Sequence, residues 1–233
     1  MSKRTKYPIT KENNRVGDII IFLSNYELQA TVIFEDIKKC FPFAGNKIIM
    51  SSINKMAIFC GSKIGNNKLY VQHANELATL LAEYKIELIF GGGKNGLMGV
   101  VADGVMKNGG TVTGVIPEVL LAWESQHQNI SELLVVEDMH VRKRTLYNLC
   151  DAAIILPGGF GTLDELFEIL TWNQLSIHDK KIFIMNSGGF YDHLLMHLKI
   201  LTDEGFLYGA LEEKFTVLAL PSEILNHLNK KDG

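Results

Sequence analysis

The sequence predicts an α/β protein built on a doubly wound parallel sheet with helices on both faces. From Lys55 onward, short apolar runs alternate with longer segments that have the spacing of amphipathic helices, which is typical of successive β–α units. The apolar runs are nearly continuous, as strands are when both faces of a sheet are covered. Right-handed crossovers between such strands give a Rossmann-like sheet.

The predicted strands are short and end at turn residues, whereas the predicted helices have apolar positions three or four residues apart. In the first helix, residues 74, 77, 78 and 81 are apolar and share one face. Strands are predicted at residues 56–60, 87–90, 111–116, 133–136, 152–156 and 181–185. Helices are predicted at residues 69–84, 97–108, 139–150, 162–174, 190–204 and 222–229.

Length and composition are those of an ordinary globular protein. With 233 residues, 47% of them hydrophobic, the chain can bury a sizeable core in one large domain, with or without a small appendage. The net charge of -3 and the charged fraction of 21% leave no electrostatic footprint for nucleic acid or for a membrane surface. We therefore expect neither of these partners.

The cysteines and histidines indicate neither a disulfide framework nor a metal centre. Three cysteines, at positions 40, 60 and 150, form no CxxC pair, and the seven histidines are scattered along the chain. Such cysteine usage suits a reducing compartment, and no signal-type apolar region follows the N-terminal Met-Ser-Lys-Arg. We therefore expect a cytoplasmic protein that uses no metal or other cofactor.

Residues 1–54 have a less regular pattern than the rest and are expected to form a small N-terminal appendage. They contain eight Lys or Arg residues against five Asp or Glu residues. Residues 19–23 and 28–34 are candidate strands of a hairpin, and residues 35–40 are a candidate short helix. Because no pattern there indicates chemistry, we interpret the segment as an appendage or an oligomer contact, and residues 55–233 as the functional domain.

Three predicted strand ends carry glycine, and ligands of doubly wound sheets bind at the carboxyl ends of strands. Gly61 follows the first strand, where a plain turn is an equally good interpretation. Residues 91–96 follow the second strand and contain the G-x-G-x-x-G spacing of a dinucleotide-binding fingerprint. The expected acid falls at Glu118, slightly beyond its usual place. Both an NAD-dependent oxidoreductase and simple close packing of a helix on a strand therefore stay open.

The third glycine-bearing strand end gives the strongest signal. An apolar strand runs into Pro157-Gly158-Gly159-Phe160-Gly161-Thr162, where three glycines let backbone N–H groups point into one concavity. Thr162 begins a predicted helix, whose positive end favours an anion such as phosphate. Glu165 lies one turn further, as either a catalytic carboxylate or the acid of a Thr-x-x-Glu capping box. Asp164 and Glu168 add acidity, which fits a phosphorylated ligand with a neutral part such as ribose.

A run of cations stands at the start of another predicted helix. Arg142-Lys143-Arg144 follows Met139-His140-Val141, and cations at a helix start oppose the helix dipole. A solvated face explains one or two of them, but a role in binding phosphate or transition-state charge explains the placement of at least one better. We interpret His140 as a structural or surface histidine.

Five segments follow one another in a fixed order between residues 55 and 230. They are Gly91-Gly92-Gly93 with Gly96-Leu97-Met98-Gly99, Gly114-Val115-Ile116-Pro117, Met139-His140-x-Arg142-Lys143, Pro157-Gly158-Gly159-x-Gly161-Thr162-x-x-Glu165, and Thr171-Trp172-x-Gln174-Leu175. In this order and spacing they resemble the LOG (Lonely Guy) family of nucleoside 5′-monophosphate phosphoribohydrolases, which are often labelled lysine decarboxylases.

The resemblance implies hydrolysis of the N-glycosidic bond of purine nucleoside 5′-monophosphates, either cytokinin riboside monophosphates or AMP, to free base and ribose 5-phosphate. It implies that Arg142 and Glu165 are catalytic, and that the protein is a homodimer or a larger homo-oligomer. The substrate contacts assigned with it are Glu124, Lys143, Gly158, Gly159, Phe160, Gly161, Thr162, Leu163, Asp164 and Thr171, together with Ser62, Gly93 and Met98 at the other two glycine-bearing strand ends.

The chemistry of the reaction gives the two catalytic candidates different tasks. N-glycoside cleavage develops oxocarbenium character at the sugar, which the carboxylate of Glu165 would stabilise. Arg142 does not readily give up a proton, so we expect it to orient the substrate and balance charge. A non-catalytic nucleotide or molybdenum-cofactor carrier on the same fold is the alternative, and the presence of both residues favours the enzyme.

Overall fold

The structure, a computed structural model, describes residues 53–121 and 126–228. The candidate hairpin and helix within residues 19–40 lie outside the described residues, and so does the candidate substrate contact Glu124. The division into an appendage at 1–54 and a domain at 55–233 therefore stays a prediction.

In the described part of the chain, seven strands form one sheet in the order β4-β3-β2-β1-β5-β6-β7. Each pair of neighbouring strands is parallel, which confirms the predicted fold class. The strands are β1 Lys55–Phe59, β2 Glu87–Phe90, β3 Val112–Pro117, β4 Glu132–Val136, β5 Ala152–Ile155, β6 Lys181–Met185 and β7 Thr216–Leu218.

Helices connect these strands, and none of them within 53–121 and 126–228 is long and apolar enough to cross a membrane. The α-helices are α1 Lys68–Glu83, α2 Gly96–Lys107, α3 Glu118–Leu121, α4 Met139–Leu149, α5 Phe160–Gln174 and α6 Asp192–Asp203. Short 3-10 helices lie at Ser187–Gly189, Leu211–Glu213 and Pro221–His227.

The last part of the chain differs from its prediction. The α-helix predicted over residues 222–229 is wrong as far as the described residues reach, because Pro221–His227 is a 3-10 helix. Its tighter winding is visible where the Glu223 N–H donates to the Leu220 carbonyl, three residues back, at 3.1 Å. Strand β7 was not predicted, because it has only three residues and Leu218 is its single buried side chain.

Both faces of the sheet are buried under helices, as the continuous apolar strands predicted. Along β1, Met56 and Ile58 belong to one hydrophobic cluster, whereas Ala57 and Phe59 belong to the other, because successive side chains of a strand point to opposite faces. Residues of α1, α2 and Pro221–His227 complete the first cluster. Residues of α4, α5 and α6 complete the second.

The strand order reverses at β1, which lies between β2 and β5. From β1 the chain passes outward through β2, β3 and β4, and then returns to the other side of β1 as β5. In a doubly wound sheet the connections after the two strands at such a point run to opposite faces and leave a crevice at their carboxyl ends. The loops after β1 and β5 therefore border the expected ligand site.

Candidate active site

The three glycine-bearing loops meet at the carboxyl edge of the sheet. The Gly61 N–H donates to the Pro157 carbonyl at 3.0 Å, and the Leu97 N–H donates to the Gly61 carbonyl at 3.0 Å. Gly96 has a φ of +65°, and a Cβ there would overlap the backbone of Ser62. The glycine at 96 thus allows the loops after β1 and β2 to touch, whereas the packing interpretation of this motif concerned a helix on a strand.

The loop after β5 leads into an open helix N-terminus. Helix α5 begins at Phe160, with Gly159 as its N-cap and with no side-chain capping bond. A Cβ on Gly159 or Gly161 would meet nothing within 4 Å, and the side chain of Phe160 is 93% exposed. Because the first N–H groups of a helix have no intrahelical acceptor, this end of α5 can receive an anion.

Thr162 does not cap the helix, so the capping-box interpretation of Thr162 and Glu165 is wrong. The helix begins two residues before Thr162, and Thr162 is buried inside the first turn. A Cβ on Gly158 would overlap the Thr162 hydroxyl oxygen, so the glycine at 158 makes room for this side chain. With the capping role excluded, the carboxylate of Glu165 is available for another task.

Glu165 is a largely buried carboxyl group beside a buried cation. Its side chain is 13% exposed, and its Oε1 lies 4.0 Å from Nη1 of Arg142. Burial raises the pKa of Glu165 from 4.5 to about 7; the charge of Arg142 opposes this rise and that of Asp164 adds to it. A carboxyl group with a pKa near neutrality can change its protonation during a reaction cycle at physiological pH.

Arg142 reaches the site from helix α4 and is held by backbone carbonyls of β3 and of the loop after β2. Its Nε donates to the Val115 carbonyl at 3.1 Å, and its Nη2 donates to the Gly91 carbonyl at 3.0 Å. A Cβ on Gly91 would overlap Nη2, so the first glycine of the Gly91-Gly92-Gly93 run makes room for the guanidinium. The two bonds aim the remaining amino group, Nη1, at Glu165.

Lys143, predicted to contact the nucleotide, is bound by two carboxylates of α5. Its Nζ lies 2.7 Å from Asp164 Oδ2 and 3.0 Å from Glu168 Oε2, and its side chain is only 15% exposed. Burial alone would lower the pKa of Lys143, but the hydrogen bonds to Asp164 and Glu168 outweigh burial and raise it. The lysine therefore links α4 to α5 next to the pair formed by Arg142 and Glu165.

Two further residues at the site were not assigned from the sequence. The Tyr147 hydroxyl donates to the Glu165 carbonyl at 3.0 Å and lies 3.4 Å from Glu168 Oε2. Cys60, at the end of β1, is buried, and burial together with the charge of Glu165 raises the pKa of its thiol. The neutral thiol adds to the low-polarity surroundings of Glu165. No sequence motif marks either residue, because their relevance depends on contacts across the fold.

The other sequence-predicted contacts lie at varied distances from the loop. Ser62 is exposed beside it. Gly93 forms an isolated antiparallel bridge with Gln126. Met98 is buried. Leu163 packs against the hydrophobic cluster under α4, α5 and α6. Thr171 lies twelve residues beyond Gly159, about 18 Å along the helix axis, so the structure does not bring it to the loop.

Cavities lie at both edges of the sheet. One of about 330 Å³ opens beside the loop after β5, between Gly158 and the side chains of Tyr70 and Phe190. Another, of about 700 Å³, lies near the amino ends of β6 and β7, where Lys181 and Thr216 begin their strands. Only the first borders the crevice of the strand-order reversal, and it lies beside the loop after β5; its lining does not include Arg142 or Glu165. Within 53–121 and 126–228, no group of three His, Cys, Asp or Glu residues could hold a metal ion.

Fold and site together define a class of protein. Strand β5 of the doubly wound sheet is followed by a helix, α5, whose open N-terminus can receive an anion. The same helix carries Glu165, which forms a buried carboxyl–guanidinium pair with Arg142 of α4. Such a combination is that of an α/β protein for phosphorylated ligands.

Comparison with known proteins narrows this class to one family. A family model described as "Possible lysine decarboxylase" matches residues 98–228. The chain is 38% identical over 183 residues to "Probable cytokinin riboside 5′-monophosphate phosphoribohydrolase LOGL2" of Oryza sativa subsp. japonica, covering 78% of this chain and 75% of the relative. It is 43% identical over 159 residues to "Cytokinin riboside 5′-monophosphate phosphoribohydrolase LOG1" of Arabidopsis thaliana, covering 68% and 75%. The chain belongs to the LOG family.

A solved structure confirms the fold, although its sequence identity to this chain is lower than that of the relatives. The molybdenum cofactor binding protein from Rippkaea orientalis superposes with a TM-score of 0.56 at 15% identity, covering 76% of this chain and 96% of that protein. Similarity at this level concerns the fold alone. It confirms the Rossmann-like sheet and carries no argument about the ligand.

Proposed function

We propose that the protein hydrolyses the N-glycosidic bond of purine nucleoside 5′-monophosphates and releases the free base and ribose 5-phosphate. The observation that carries this proposal is the pairing of Glu165 with Arg142, 4.0 Å apart and both largely buried. Glu165 lies on α5, the helix whose open N-terminus suits a phosphate. Glu165 lies six residues beyond Gly159, about 9 Å along the axis. This span suits a substrate in which one ribose separates the phosphate from the bond that breaks.

Glu165 is the residue that acts at the anomeric carbon. As the bond between C1′ and the base nitrogen breaks, the base leaves with the electron pair and C1′ gains positive charge. The ionised carboxylate stabilises that charge and orients the water whose oxygen bonds to C1′. One proton of that water is left for the departing base. A pKa of about 7 lets Glu165 hold this proton briefly near neutral pH.

Arg142 favours the ionised form of the Glu165 carboxyl group. Its guanidinium is always charged and is fixed by two carbonyl groups, so it presents a cation to Glu165 without rearrangement. Its charge opposes the effect of burial on the pKa of Glu165. Without that cation, the carboxyl group would stay protonated at neutral pH and could not stabilise an oxocarbenium ion.

The phosphate supplies binding energy away from the reacting bond. Backbone N–H groups of Phe160 and Gly161 stand at the start of α5, where the helix dipole also favours an anion. Binding energy gained there positions the ribose relative to Glu165. The loop is therefore expected to require the 5′-phosphate, and unphosphorylated nucleosides should be poor substrates.

The names of the relatives support a finer choice of substrate. Those from rice and Arabidopsis are named for cytokinin riboside 5′-monophosphates, which supports such a monophosphate as a substrate here. AMP has the same bond, ribose and phosphate, and we propose it as a second substrate. Incubation with AMP and with isopentenyladenosine 5′-monophosphate, followed by chromatography of the released base, distinguishes the two.

The same assay tests the function itself. The wild-type protein should release base from at least one purine monophosphate, with little release from unphosphorylated adenosine. The function is contradicted by no release from any monophosphate. Equal rates on AMP and adenosine would leave hydrolysis standing but remove the role of the phosphate.

A carrier that binds a nucleotide without cleaving it is the second candidate. A molybdenum cofactor binding protein has the same fold, so the fold is compatible with a carrier, but this likeness does not indicate the ligand of this chain. A carrier has no need of a buried carboxyl group with a pKa near 7. Tight binding of AMP without release of adenine would favour the carrier.

Lysine decarboxylation, named by the family model, suits the site poorly. Lysine-dependent carbonyl chemistry needs an amine that can lose its proton. Lys143, the lysine next to Arg142 and Glu165, is instead held by Asp164 and Glu168, and its pKa is raised.

We also propose that the protein is a homodimer or a larger homo-oligomer in the cytoplasm, with residues 1–54 as an appendage to the hydrolase domain. Exposed apolar side chains, such as Phe167 on α5 and Met196 and Ile200 on α6, support an association of copies. Buried free thiols at Cys60 and Cys150 support a reducing compartment. Light scattering on the full chain and on residues 53–233 tests the assembly and the role of the appendage.

A further inference from the structure

We propose that Tyr147 is a positioning residue, whose hydroxyl holds the Glu165 turn of α5 against α4 and so sets the carboxylate beside Arg142. This role rests on the proposed hydrolase function, because it concerns the placement of that function's catalytic carboxylate. Tyr147 is distinct from the residues to which we assign contact with the substrate.

Tyr147 stands on the helix that carries the cations of the site. It lies four residues after Lys143 on α4, so the two side chains share one face of the helix. Both reach across to α5, where Lys143 binds Asp164 and Glu168. Tyr147 binds the Glu165 carbonyl at 3.0 Å and approaches Glu168 at 3.4 Å. Two neighbouring side chains thus make four contacts with three residues near the start of α5.

The aromatic ring of Tyr147 cannot move freely. The residue is 1% exposed, and its ring packs edge-on against Phe59 at 5.8 Å and Trp172 at 4.8 Å between ring centroids. A ring fixed in this way presents its hydroxyl at one place. Side chains whose rotamers are locked by packing are those that hold a reacting group in its working geometry.

The carboxylate of Glu165 needs such support. Its distance of 4.0 Å from Arg142 is too long for a hydrogen bond, so the ion pair alone does not fix the orientation of the carboxylate. The position of Glu165 then depends on where its turn of α5 lies. The hydroxyl bond from Tyr147 to the Glu165 carbonyl acts on that turn directly.

The substitution Tyr147→Phe removes the hydroxyl and keeps the ring in its packing. We expect kcat for base release to fall about five- to tenfold, the effect of losing one hydrogen bond of ordinary strength. KM should stay within about twofold, because the N–H groups at the start of α5 are untouched. A residue that served stability alone would not separate kcat from KM.

Tyr191→Phe is the matched control. Tyr191 is likewise buried at 2% exposure, and its hydroxyl likewise donates to a backbone carbonyl, that of Leu156, at 2.7 Å. Both variants should lose a similar amount of stability in thermal unfolding. Only Tyr147→Phe should lose kcat.

The outcomes separate this role from the function on which it rests. If the wild type is active and the two variants have equal kcat, the role of Tyr147 is overturned and the hydrolase function stands. If the wild type releases no base from any purine monophosphate, the function is overturned, and the role of Tyr147 with it. A fall in kcat confined to Tyr147→Phe supports both.

Discussion

One end of the candidate site is built from backbone groups and the other from side chains. At the start of α5, backbone N–H groups face solvent, Gly159 and Gly161 have open space around them, and Phe160 is 93% exposed. At the other end, the side chains of Arg142 and Glu165 are largely buried. An open backbone suits a dianion that must enter and leave, whereas buried side chains suit a reaction that needs a shifted pKa. Binding and chemistry should therefore be separable by mutation.

The largest effect is expected at the buried end. Glu165→Gln should lower kcat by about 10²- to 10⁴-fold, the usual range for losing a carboxylate that takes part in proton transfer. The affinity for AMP, measured by calorimetry, should change little, because the phosphate position that we propose is at the start of α5, about 9 Å along the helix axis from Glu165. A variant that loses affinity as much as kcat would contradict the separation of the two ends.

The same carboxyl group should make the protein less stable at high pH. Its pKa of about 7 in the folded protein exceeds its ordinary value of 4.5, so from about pH 4.5 to 7 the folded state binds more protons than the unfolded state. Stability is therefore present at low pH and is lost as the pH rises through this window, by roughly 3 kcal/mol. In denaturant unfolding, the free energy of unfolding of Glu165→Gln relative to that of the wild type should rise by roughly 3 kcal/mol between pH 4.5 and 8.

The control for this pH dependence is Glu204→Gln, which changes an exposed carboxyl group. Between pH 4.5 and 8, Glu165→Gln should gain stability relative to this variant as well as relative to the wild type. If it gains none, the carboxyl group of Glu165 does not have the raised pKa on which the mechanism depends.

At the open end, one backbone N–H can be removed without removing the helix. Phe160 is the first residue of α5, a position where proline is well tolerated. Phe160→Pro should raise KM for AMP about 10- to 100-fold, because a hydrogen bond to a charged group is lost, with kcat nearly unchanged. Phe160→Ala, which removes only an exposed ring, is the control. Equal KM values for both variants would mean that this N–H does not bind the phosphate.

The smallest effect is the pH dependence of the wild-type enzyme. If the reaction uses ionised Glu165, kcat/KM should fall about tenfold per pH unit below about pH 7. Monophosphates also titrate, near pH 6, so the affinity of Glu165→Gln for AMP should be followed across the same range. A rate that is flat from pH 5.5 to 8 after this correction would argue against a titrating Glu165.

The fold could be predicted from the sequence wherever a pattern was long or bounded by glycine. Strand β2 has the predicted bounds, because Gly91 ends it. Helix α6 begins at Asp192 rather than at residue 190, because Gly188 and Gly189 turn the chain with φ values of 60° and 76°. Strand β7 was missed, because its place depends on pairing with β6 rather than on its own three residues.

The site could be predicted only in part. Glycines and their order indicated the anion-binding loop, and Glu165 and Arg142 lie 4.0 Å apart, as candidates for one reaction should. The partners of Lys143 could not be predicted, because Asp164 and Glu168 are on another helix. The hydrogen bond of the Tyr147 hydroxyl could not be predicted either, because its acceptor is a backbone carbonyl 18 residues away. No side-chain pattern encodes such a contact.

The space at Gly91 has a consequence for how sequences of this family should vary. That glycine is required by the guanidinium that lies against it, since a Cβ would overlap Nη2 of Arg142. The two positions are 51 residues apart, yet they should be substituted together over evolutionary time. A relative that keeps the arginine should keep the glycine. A relative in which a shorter side chain replaces the arginine can carry alanine or serine at the position of Gly91. Such paired changes would identify relatives that no longer catalyse the hydrolysis.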